Sequence, residues 1–308
     1  TAGGFVSDVF VFAEPEPPIN GRYNILLLGG DAGPDRDGMR PDSMTVASID
    51  AVTGEALLIG LPRDLAYAPF PADSPMLALY PNGYGAEGCE VDVCQLNSIF
   101  TEVELFHPEL YPDAAAAGSS PGIQAMSDAA SGITGLTMQY YALIDMAAFE
   151  QLIDALGGVT INVSEAVPVY TDESLTEVAE WIGPGATGMN GATALWYARS
   201  RYDTSDYDRM LRQRQLQEAI LQQFTPANVL SKFQGVAAAG AQVVRTDIPQ
   251  SMLGFFVDLA GKTKELPIGS IEITPIGDVA PENPDYAYIH AIIAEATAPP
   301  PSPEPDEG

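Results

Sequence analysis

The sequence predicts an α/β fold, in which helices cover the faces of a β-sheet. Short apolar runs that stop at glycine alternate along the chain with longer stretches of helical periodicity. The composition agrees, because 46% of the residues are hydrophobic and 18% are charged, as in an ordinary globular protein. The 308 residues show no internal repeat and no break in composition, so we expect one domain.

The first predicted elements are strands. Residues 23–28 (YNILLL) form an apolar run that ends at Gly29, which indicates a buried strand. Residues 43–49 (SMTVASI) and 56–59 (ALLI) flank a turn at 50–54, which predicts a hairpin.

The middle of the chain predicts a strand, a helix and a strand. A first helix is expected at 121–132. A strand at 139–144 is then followed by a helix that Asp145 caps and that Gly157 closes. A further strand is expected at 159–163 (VTINV), and this order predicts a crossover unit.

The second half of the chain is mainly helical. We expect helices at 190–200, 207–224, 227–240, 249–263 and 285–296, and a strand at 271–275. Two flanking segments fall outside this pattern. Residues 1–20 include the acidic linker AEPEPP, and residues 298–308 form a Pro-rich acidic tail that we expect to be disordered. The predicted domain is therefore 21–297.

The beginning of the chain carries no recognisable signal for export. The start TAGGFVSDVFVF has no basic region, so it is not a signal peptide. No run of about 18 apolar residues is present, which is the length that a membrane-spanning helix needs.

Basic residues are scarce and concentrated. The chain has 13 lysines and arginines against 42 acidic residues, a net charge of −29, which argues against binding to nucleic acid or to anionic membrane surfaces. Residues 199–214 nevertheless hold five arginines: Arg199, Arg201, Arg209, Arg212 and Arg214. Arginine matches phosphate with two parallel donors, so this segment predicts a site for a phosphorylated anion. The alternative is an exposed network of salt bridges with Asp203, Asp206 and Asp208.

A second candidate is the acidic loop 29–44 (GGDAGPDRDGMRPDSM). Its carboxylates follow a buried strand, where they can hold Mg²⁺ beside a phosphate. The loop lacks the lysine of a P-loop, and it does not fit the frame of a calcium-binding EF-hand. The alternative is an acidic surface turn.

A third candidate is Arg63, which the strand at 56–59 delivers into a loop just past Pro62 (LIGLPRD). The alternative for Arg63 is a surface ion pair with Asp64 or with other acidic residues.

Cys89 and Cys94 are the only cysteines, in a stretch rich in glycine and aspartate. A close, even pair predicts a disulfide and an oxidising compartment, and the alternative is two unrelated thiols. Zinc is disfavoured because the only histidines, His107 and His290, lack the spacing of zinc ligands.

These motifs together resemble the LytR-CpsA-Psr family. The residues that carry the resemblance span almost two hundred positions: NILLLGGDAG and RPDSMTVASID within 24–50, LLIGLPRD (57–64), YYALIDMAAFEQLIDALGGVTINV (140–163) and GATALWYARSRYDTSDYDRMLRQRQ (191–215). The stretch 70–85 before the two cysteines looks like the actinobacterial branch.

The resemblance implies an enzyme that faces the outside of the cell and is anchored to the membrane by an N-terminal segment that this chain does not contain. Such enzymes transfer a glycopolymer, as its 1-phosphate, from a polyprenyl-pyrophosphate carrier to peptidoglycan. The implied fold is an α/β/α sandwich with a central mixed β-sheet and a hydrophobic tunnel for the lipid.

The resemblance also implies roles for individual residues. Asp31 and Asp42 would hold Mg²⁺ or Mn²⁺, and Asp31, Arg63 and Arg201 would act in catalysis. The residues implied to bind the pyrophosphate are Arg40, Arg63, Arg199, Arg201, Arg209, Arg212 and Gln213. One departure stands out: relatives often carry an arginine two residues after the first metal aspartate, where this chain has Gly33, so the role of Arg36 stays open.

Two other functions remain open from the sequence. The same residues would serve a pyrophosphatase that uses water as the acceptor, or a noncatalytic protein that binds lipid-linked or wall polymers. An older idea of transcription regulation finds no support in so acidic a chain.

Overall fold

The structure is a computed structural model that describes residues 14–31, 39–170, 177–200, 205–238, 244–273 and 281–298, with Asp31 and Val244 described by their backbone. The predicted disordered tail therefore lies almost wholly outside the described residues. So do Gly33, Arg36 and Arg201, together with most of the linker at the start of the chain.

A six-stranded mixed sheet forms the centre of the fold. Its strands are β1 (Arg22–Asp31), β2 (Arg40–Asp50), β3 (Ala56–Gly60), β4 (Tyr140–Asp145), β9 (Val244–Thr246) and β10 (Gly269–Glu272). The strand order is β10-β3-β2-β1-β4-β9. Strands β4 and β10 run parallel to β1 and β3 respectively, whereas β2 is antiparallel to both of its neighbours. The carboxyl ends of β1, β3, β4 and β10 consequently lie along one edge of the sheet, together with the start of β2.

Helices flank this sheet. They are α1 (Pro75–Leu79), α2 (Ile99–Phe106), α3 (Pro121–Thr134), α4 (Met146–Leu156), α5 (Gly191–Arg199), α6 (Asp206–Gln223), α7 (Pro226–Ala238), α8 (Leu253–Lys264) and α9 (Tyr286–Ala296). Asp145 caps α4 as predicted, because its Oδ1 accepts the N–H of Ala148 at 2.8 Å. Gly157 ends α4 with a positive φ of 91°, a conformation that glycine adopts at little cost.

Alternating side chains of β1 explain the layers. Leu26 and Leu28 point into the largest core, which contains Ile123 of α3 and Ile289 of α9. On the opposite face Ile25 packs in a second cluster with Leu259 of α8. Because strand side chains alternate between faces, both faces of the sheet are covered, and the predicted α/β sandwich is confirmed.

The predicted crossover unit is wrong. Strand β5 (Val159–Val163) does follow α4, but it pairs antiparallel with β8 (Gly185–Met189) in a separate two-stranded sheet. A second small sheet pairs β6 (Val167–Tyr170) with β7 (Val178–Ile182). The parallel neighbour of β4 is β1, which lies more than a hundred residues earlier in the chain.

No helix in the part of the chain that the structure describes has the length and apolar character needed to cross a bilayer.

Candidate functional site

A β-bulge shapes the start of the candidate site. The ladder between β1 and β2 pairs Gly29 with Ser43 and Gly30 with Pro41, so Asp42 is the extra residue of β2. A bulge bends its strand and changes the direction of a side chain, and bulges are frequent beside active sites. The bulge in β2 lies at the edge of the sheet where β1, β3, β4 and β10 end, and ligands bind at such an edge in open α/β folds.

Four side chains meet at this edge, and we call them the arginine–aspartate cluster: Asp42, Arg63, Asp206 and Arg209. Arg63 Nη1 donates to Asp42 Oδ1 at 2.8 Å, and its Nε lies 3.5 Å from Asp206 Oδ1. Arg209 Nη2 donates to Asp206 Oδ2 at 2.9 Å and to the Asp42 carbonyl at 3.0 Å. The cluster therefore joins the β2 bulge, the loop after β3 and the first turn of α6.

Burial makes this cluster a strong electrostatic feature. The Arg209 side chain is only 3% exposed, whereas those of Arg63 and Asp42 are 23% and 35% exposed. The less hydrated side of the cluster thus faces α6, and the more open side consists of Arg63 and Asp42. Charges that are partly shielded from water interact more strongly than fully hydrated charges.

The acidic residues in the first turn of α6 have different contacts. Ser205 and Asp208 form a capping box, in which Ser205 Oγ accepts the Asp208 N–H at 3.2 Å and Asp208 Oδ2 accepts the Ser205 N–H at 2.8 Å. Asp206 instead pairs with Arg209 and Arg63. Of the carboxylates predicted to neutralise arginines, Asp206 does so, Asp208 caps the helix, and Asp203 lies outside the described residues.

Arg212 and Gln213 hold the end of α5. Arg212 donates from Nε to the Tyr197 carbonyl at 3.0 Å and from Nη2 to the Ser200 carbonyl, and Gln213 Nε2 donates to the Ala198 carbonyl at 3.2 Å. Burial lowers the pKa of Arg212. These contacts fix the segment that carries Arg199, whose side chain is exposed.

Arg40 points to a different partner. Its Nη2 donates to Asp92 Oδ1, and both side chains are partly or largely exposed. Asp92 lies in the loop closed by a disulfide between Cys89 and Cys94, so the predicted disulfide is present. Buried Glu102 holds this loop, because its carboxylate accepts the N–H groups of Glu90 and Val91 at 3.0 Å.

A buried ion pair anchors α6 beneath the cluster. Arg214 donates to Glu272 Oε1 from Nε at 2.9 Å and from Nη2 at 2.7 Å, and also to the Leu58 carbonyl at 3.2 Å. A Cβ on Gly60 would lie 1.8 Å from Glu272 Oε2, so a larger residue here would displace the carboxylate that pairs with Arg214. The arginine that ends the predicted phosphate segment is therefore a structural contact between α6 and strands β3 and β10.

Two further groups border the cluster. Partial loss of hydration, with a smaller contribution from the charge of Asp206, raises the pKa of Asp64 although its side chain keeps exposed surface. Loss of hydration also raises the pKa of Tyr207 to about 12, and the charges of Asp64, Glu282 and Asp206 add to this shift. The carboxylate partners of Arg63 among the described residues are Asp42 and Asp206, so the expected alternative of an ion pair is observed with these two acids.

The described residues fit a divalent cation only in part. Asp42 supplies one carboxylate at the edge of the sheet. Across the β1–β2 ladder the backbone of Asp31 pairs with Arg40, which lies two residues before Asp42. Oxygen ligands from one or two carboxylates, completed by phosphate oxygens and water, suit Mg²⁺. Within the described ranges no group of three or more His, Cys, Asp or Glu side chains is placed to hold a metal alone.

Comparison with known sequences gives a consistent match. A model of the LytR_cpsA_psr family matches residues 14–291. Biofilm regulatory protein A of Streptococcus mutans is 26% identical over 244 residues, which are 77% of this chain and 52% of that protein. Cell wall biosynthesis protein LcpA of Corynebacterium glutamicum is 29% identical over 198 residues, covering 61% of this chain and 37% of that protein. The chain spans about half the length of the first of these curated relatives.

Solved structures share the fold. TagV of B. subtilis superposes with a TM-score of 0.59 at 18% identity, over 90% of this chain and 97% of that one. A structure of TagT bound to LIIa-WTA gives a TM-score of 0.56 at 18% identity, over 92% of each chain. Likeness at this level of identity establishes the common α/β architecture.

Proposed function

Because this chain belongs to the LytR-CpsA-Psr family, we propose that it attaches a glycopolymer to the cell wall. In this proposal the donor is a glycan linked to polyprenyl pyrophosphate, and the acceptor is a hydroxyl of peptidoglycan. The enzyme is a phosphotransferase that moves the glycan 1-phosphate and leaves a phosphodiester link.

The arginine–aspartate cluster is the single observation that carries the proposal. A chain with a net charge of −29 places Arg63 and Arg209 together at the carboxyl-end edge of its sheet. Asp42 and Asp206 hold the two guanidinium groups in fixed positions. A pyrophosphate that enters from the open side would find Arg63 partly exposed and ready to donate.

The reaction balances as a displacement at phosphorus. The acceptor hydroxyl forms a new P–O bond to the phosphorus that carries the glycan, and the bond from this phosphorus to the bridging oxygen breaks, so polyprenyl phosphate leaves. Phosphoryl transfer depends on positioning and on neutralisation of charge. Arg63 and Arg209 would supply that neutralisation, and Arg199, whose side chain is exposed, and Arg201 are expected from the family pattern to contribute. A nearby aspartate accepts the hydroxyl proton: Asp31 is the residue expected from the family pattern, and Asp64 lies beside the cluster.

A divalent cation, Mg²⁺ or Mn²⁺, is part of the proposal. Asp42 and Asp31 would hold it, and it would neutralise charge on the phosphate oxygens. Asp42 Oδ1 accepts from Arg63 Nη1, so the carboxylate links the proposed metal position to an arginine.

The enzyme would work at the surface of the cell membrane. The lipid would lie in a hydrophobic tunnel, and an N-terminal anchor would hold the domain at the outer face of the membrane. The disulfide between Cys89 and Cys94 agrees with such a location, because disulfides persist in oxidising compartments.

The test uses a purified lipid-pyrophosphate glycan, Mg²⁺ and soluble peptidoglycan oligomers. We expect a phosphodiester-linked product, and we expect Arg63→Ala to lower its yield by at least tenfold, since loss of one partner of a phosphate contact costs about 2–5 kcal/mol. Arg245→Ala, at an exposed arginine of β9, is the matched control and should keep activity. If free glycan phosphate is the only product, even with acceptor in excess, the protein is a pyrophosphatase and not a transferase.

A further inference from the structure

A polar cavity lies at the opposite edge of the sheet from the arginine–aspartate cluster. Its volume is about 180 Å³, and Tyr140 and Tyr141 at the start of β4 form part of its wall. Helix α3 contributes Gln124 and Asp128, and Asp247 follows β9. Because β4 runs parallel to β1, the cavity and the cluster are separated by the length of the strand.

One wall of the cavity carries a carboxylate held in a fixed orientation. Asp128 Oδ2 accepts hydrogen bonds from Ser74 Oγ and from Tyr111 OH, each at 2.6 Å. Its other oxygen, Oδ1, has no protein partner within the described residues. An acceptor whose orientation is fixed by two neighbours can bind a ligand hydroxyl with little further loss of entropy.

Other polar groups around the cavity also keep hydrogen-bonding capacity. The Gln124 amide makes no hydrogen bond to the described residues, although it lies on the same face of α3 as Asp128. Ser119 Oγ is buried and lies beside Tyr141. On the far wall Asp247 Oδ1 accepts the Tyr141 N–H at 2.7 Å. These groups can therefore form hydrogen bonds with a ligand that enters the cavity.

The chemistry of the wall limits the ligand. The wall residues include no lysine or arginine, which disfavours an anion. They also form no group of three acidic or metal-binding side chains among the described residues, which disfavours a cation. Burial raises the pKa of both Asp128 and Asp247, so the wall favours uncharged hydrogen-bonding partners.

The aromatic residues complete the pattern. Tyr111, Tyr140 and Tyr141 are all at least nine-tenths buried and line the same space. A ligand with hydroxyl groups around a ring and apolar C–H faces would match both the acceptors and the small aromatic surface that these residues leave exposed. We propose that this cavity binds one sugar unit of a neutral glycan. The proposal goes beyond the transfer reaction and does not depend on it.

The test is ligand binding to the intact chain without donor lipid. Saturation-transfer NMR would be recorded with glucose, galactose, arabinose and N-acetylglucosamine, and with the linear tetrasaccharide of N-acetylglucosamine. We expect at least one of these sugars to bind in the millimolar range. Binding of a monosaccharide without binding of the tetrasaccharide would identify a free sugar as the ligand, whereas equal or tighter binding of the tetrasaccharide would identify a unit of a polymer.

Variants separate the cavity from nonspecific sugar binding. Gln124→Leu removes the amide at similar volume and should weaken binding by at least tenfold. Gln151→Leu, at an exposed glutamine of α4, is the matched control and should bind as the parent does. Ser119→Ala provides a second variant if Gln124→Leu does not fold. Absence of binding by every sugar, or equal binding by parent and both cavity variants, would overturn the proposal.

Discussion

At the scale of single residues, Asp247 carries the clearest dependence on pH. Burial raises its pKa to about 7, although the Tyr141 N–H donates to its carboxylate. The folded state therefore binds the proton more tightly than the unfolded state, so Asp247 makes stability fall as pH rises from about 4 to 7.

Asp247→Asn should remove this loss, because the amide oxygen can still accept from Tyr141. We expect the variant to be more stable than the parent above pH 7 by about 1 kcal/mol or more, since one pKa unit corresponds to about 1.4 kcal/mol. The difference should vanish near pH 4. Urea unfolding at several pH values measures it, and a constant difference across the range would contradict the assignment.

Single residues also show how much of the candidate site could be predicted from the sequence. The arginine-rich segment predicted a phosphate site that includes Arg209, whereas a phosphate role for Arg63 came only from the family resemblance. In the structure the two arginines share Asp42 and Asp206 as partners. Arg214 lies in the same run of sequence but pairs with Glu272, because which helical face meets the sheet is decided by packing. The bulge at Asp42 could not be predicted from the sequence either, since a bulge depends on the register between two strands.

At the scale of elements, the position of α6 depends on the Arg214–Glu272 pair. Both side chains are largely buried, with 7% and 12% of their surface exposed, and burial raises the pKa of Glu272 despite its partner. Glu272→Leu would leave Arg214 buried without its carboxylate and should destabilise the fold by about 3–5 kcal/mol.

The double variant Arg214→Met/Glu272→Leu provides the control. Replacing both charges with apolar groups is often neutral, so it should recover most of the stability lost in Glu272→Leu. Chemical unfolding of the parent and of both variants measures this. A double variant as unstable as the single one would show that the charges themselves are needed.

The disulfide loop is a second element whose stability can be measured. Cys89 and Cys94 are separated by 5 positions, and a loop this short should stabilise the fold by about 2 kcal/mol in the chain-entropy model. We expect the Cys89→Ser/Cys94→Ser variant to lose about that amount. A reductant should produce a similar loss in the parent and none in the variant, and an unchanged parent under reduction would contradict the expectation.

Elements with local signals were predictable, and elements with distant partners were not. The strand β5 was predicted at 159–163 and is found there, because its alternating pattern is local. Its partner was not predicted, since β8 is glycine-rich and pairs with β5 across more than twenty residues. The same limitation explains the incorrect crossover unit.

At the scale of the whole molecule, charge should control stability. A net charge of −29 causes self-repulsion in the folded state, and salt screens it. We therefore expect Tm to rise between 10 and 500 mM NaCl, measured by differential scanning calorimetry. The buried Arg214–Glu272 pair should respond little to salt, so a fall in Tm would mean that exposed ion pairs outweigh the repulsion.

The bulge in β2 has a consequence for how this protein tolerates deletions. Removing one residue from the interior of a strand usually turns every following side chain to the wrong face. Deleting Asp42 would do the reverse, since Pro41 and Ser43 already face consecutive partners, Gly30 and Gly29. The shortened chain should form an uninterrupted ladder and fold well while losing the carboxylate that holds Arg63. Foldability and activity can thus be separated at this position, and a lineage released from selection for activity could shorten this strand without losing its fold.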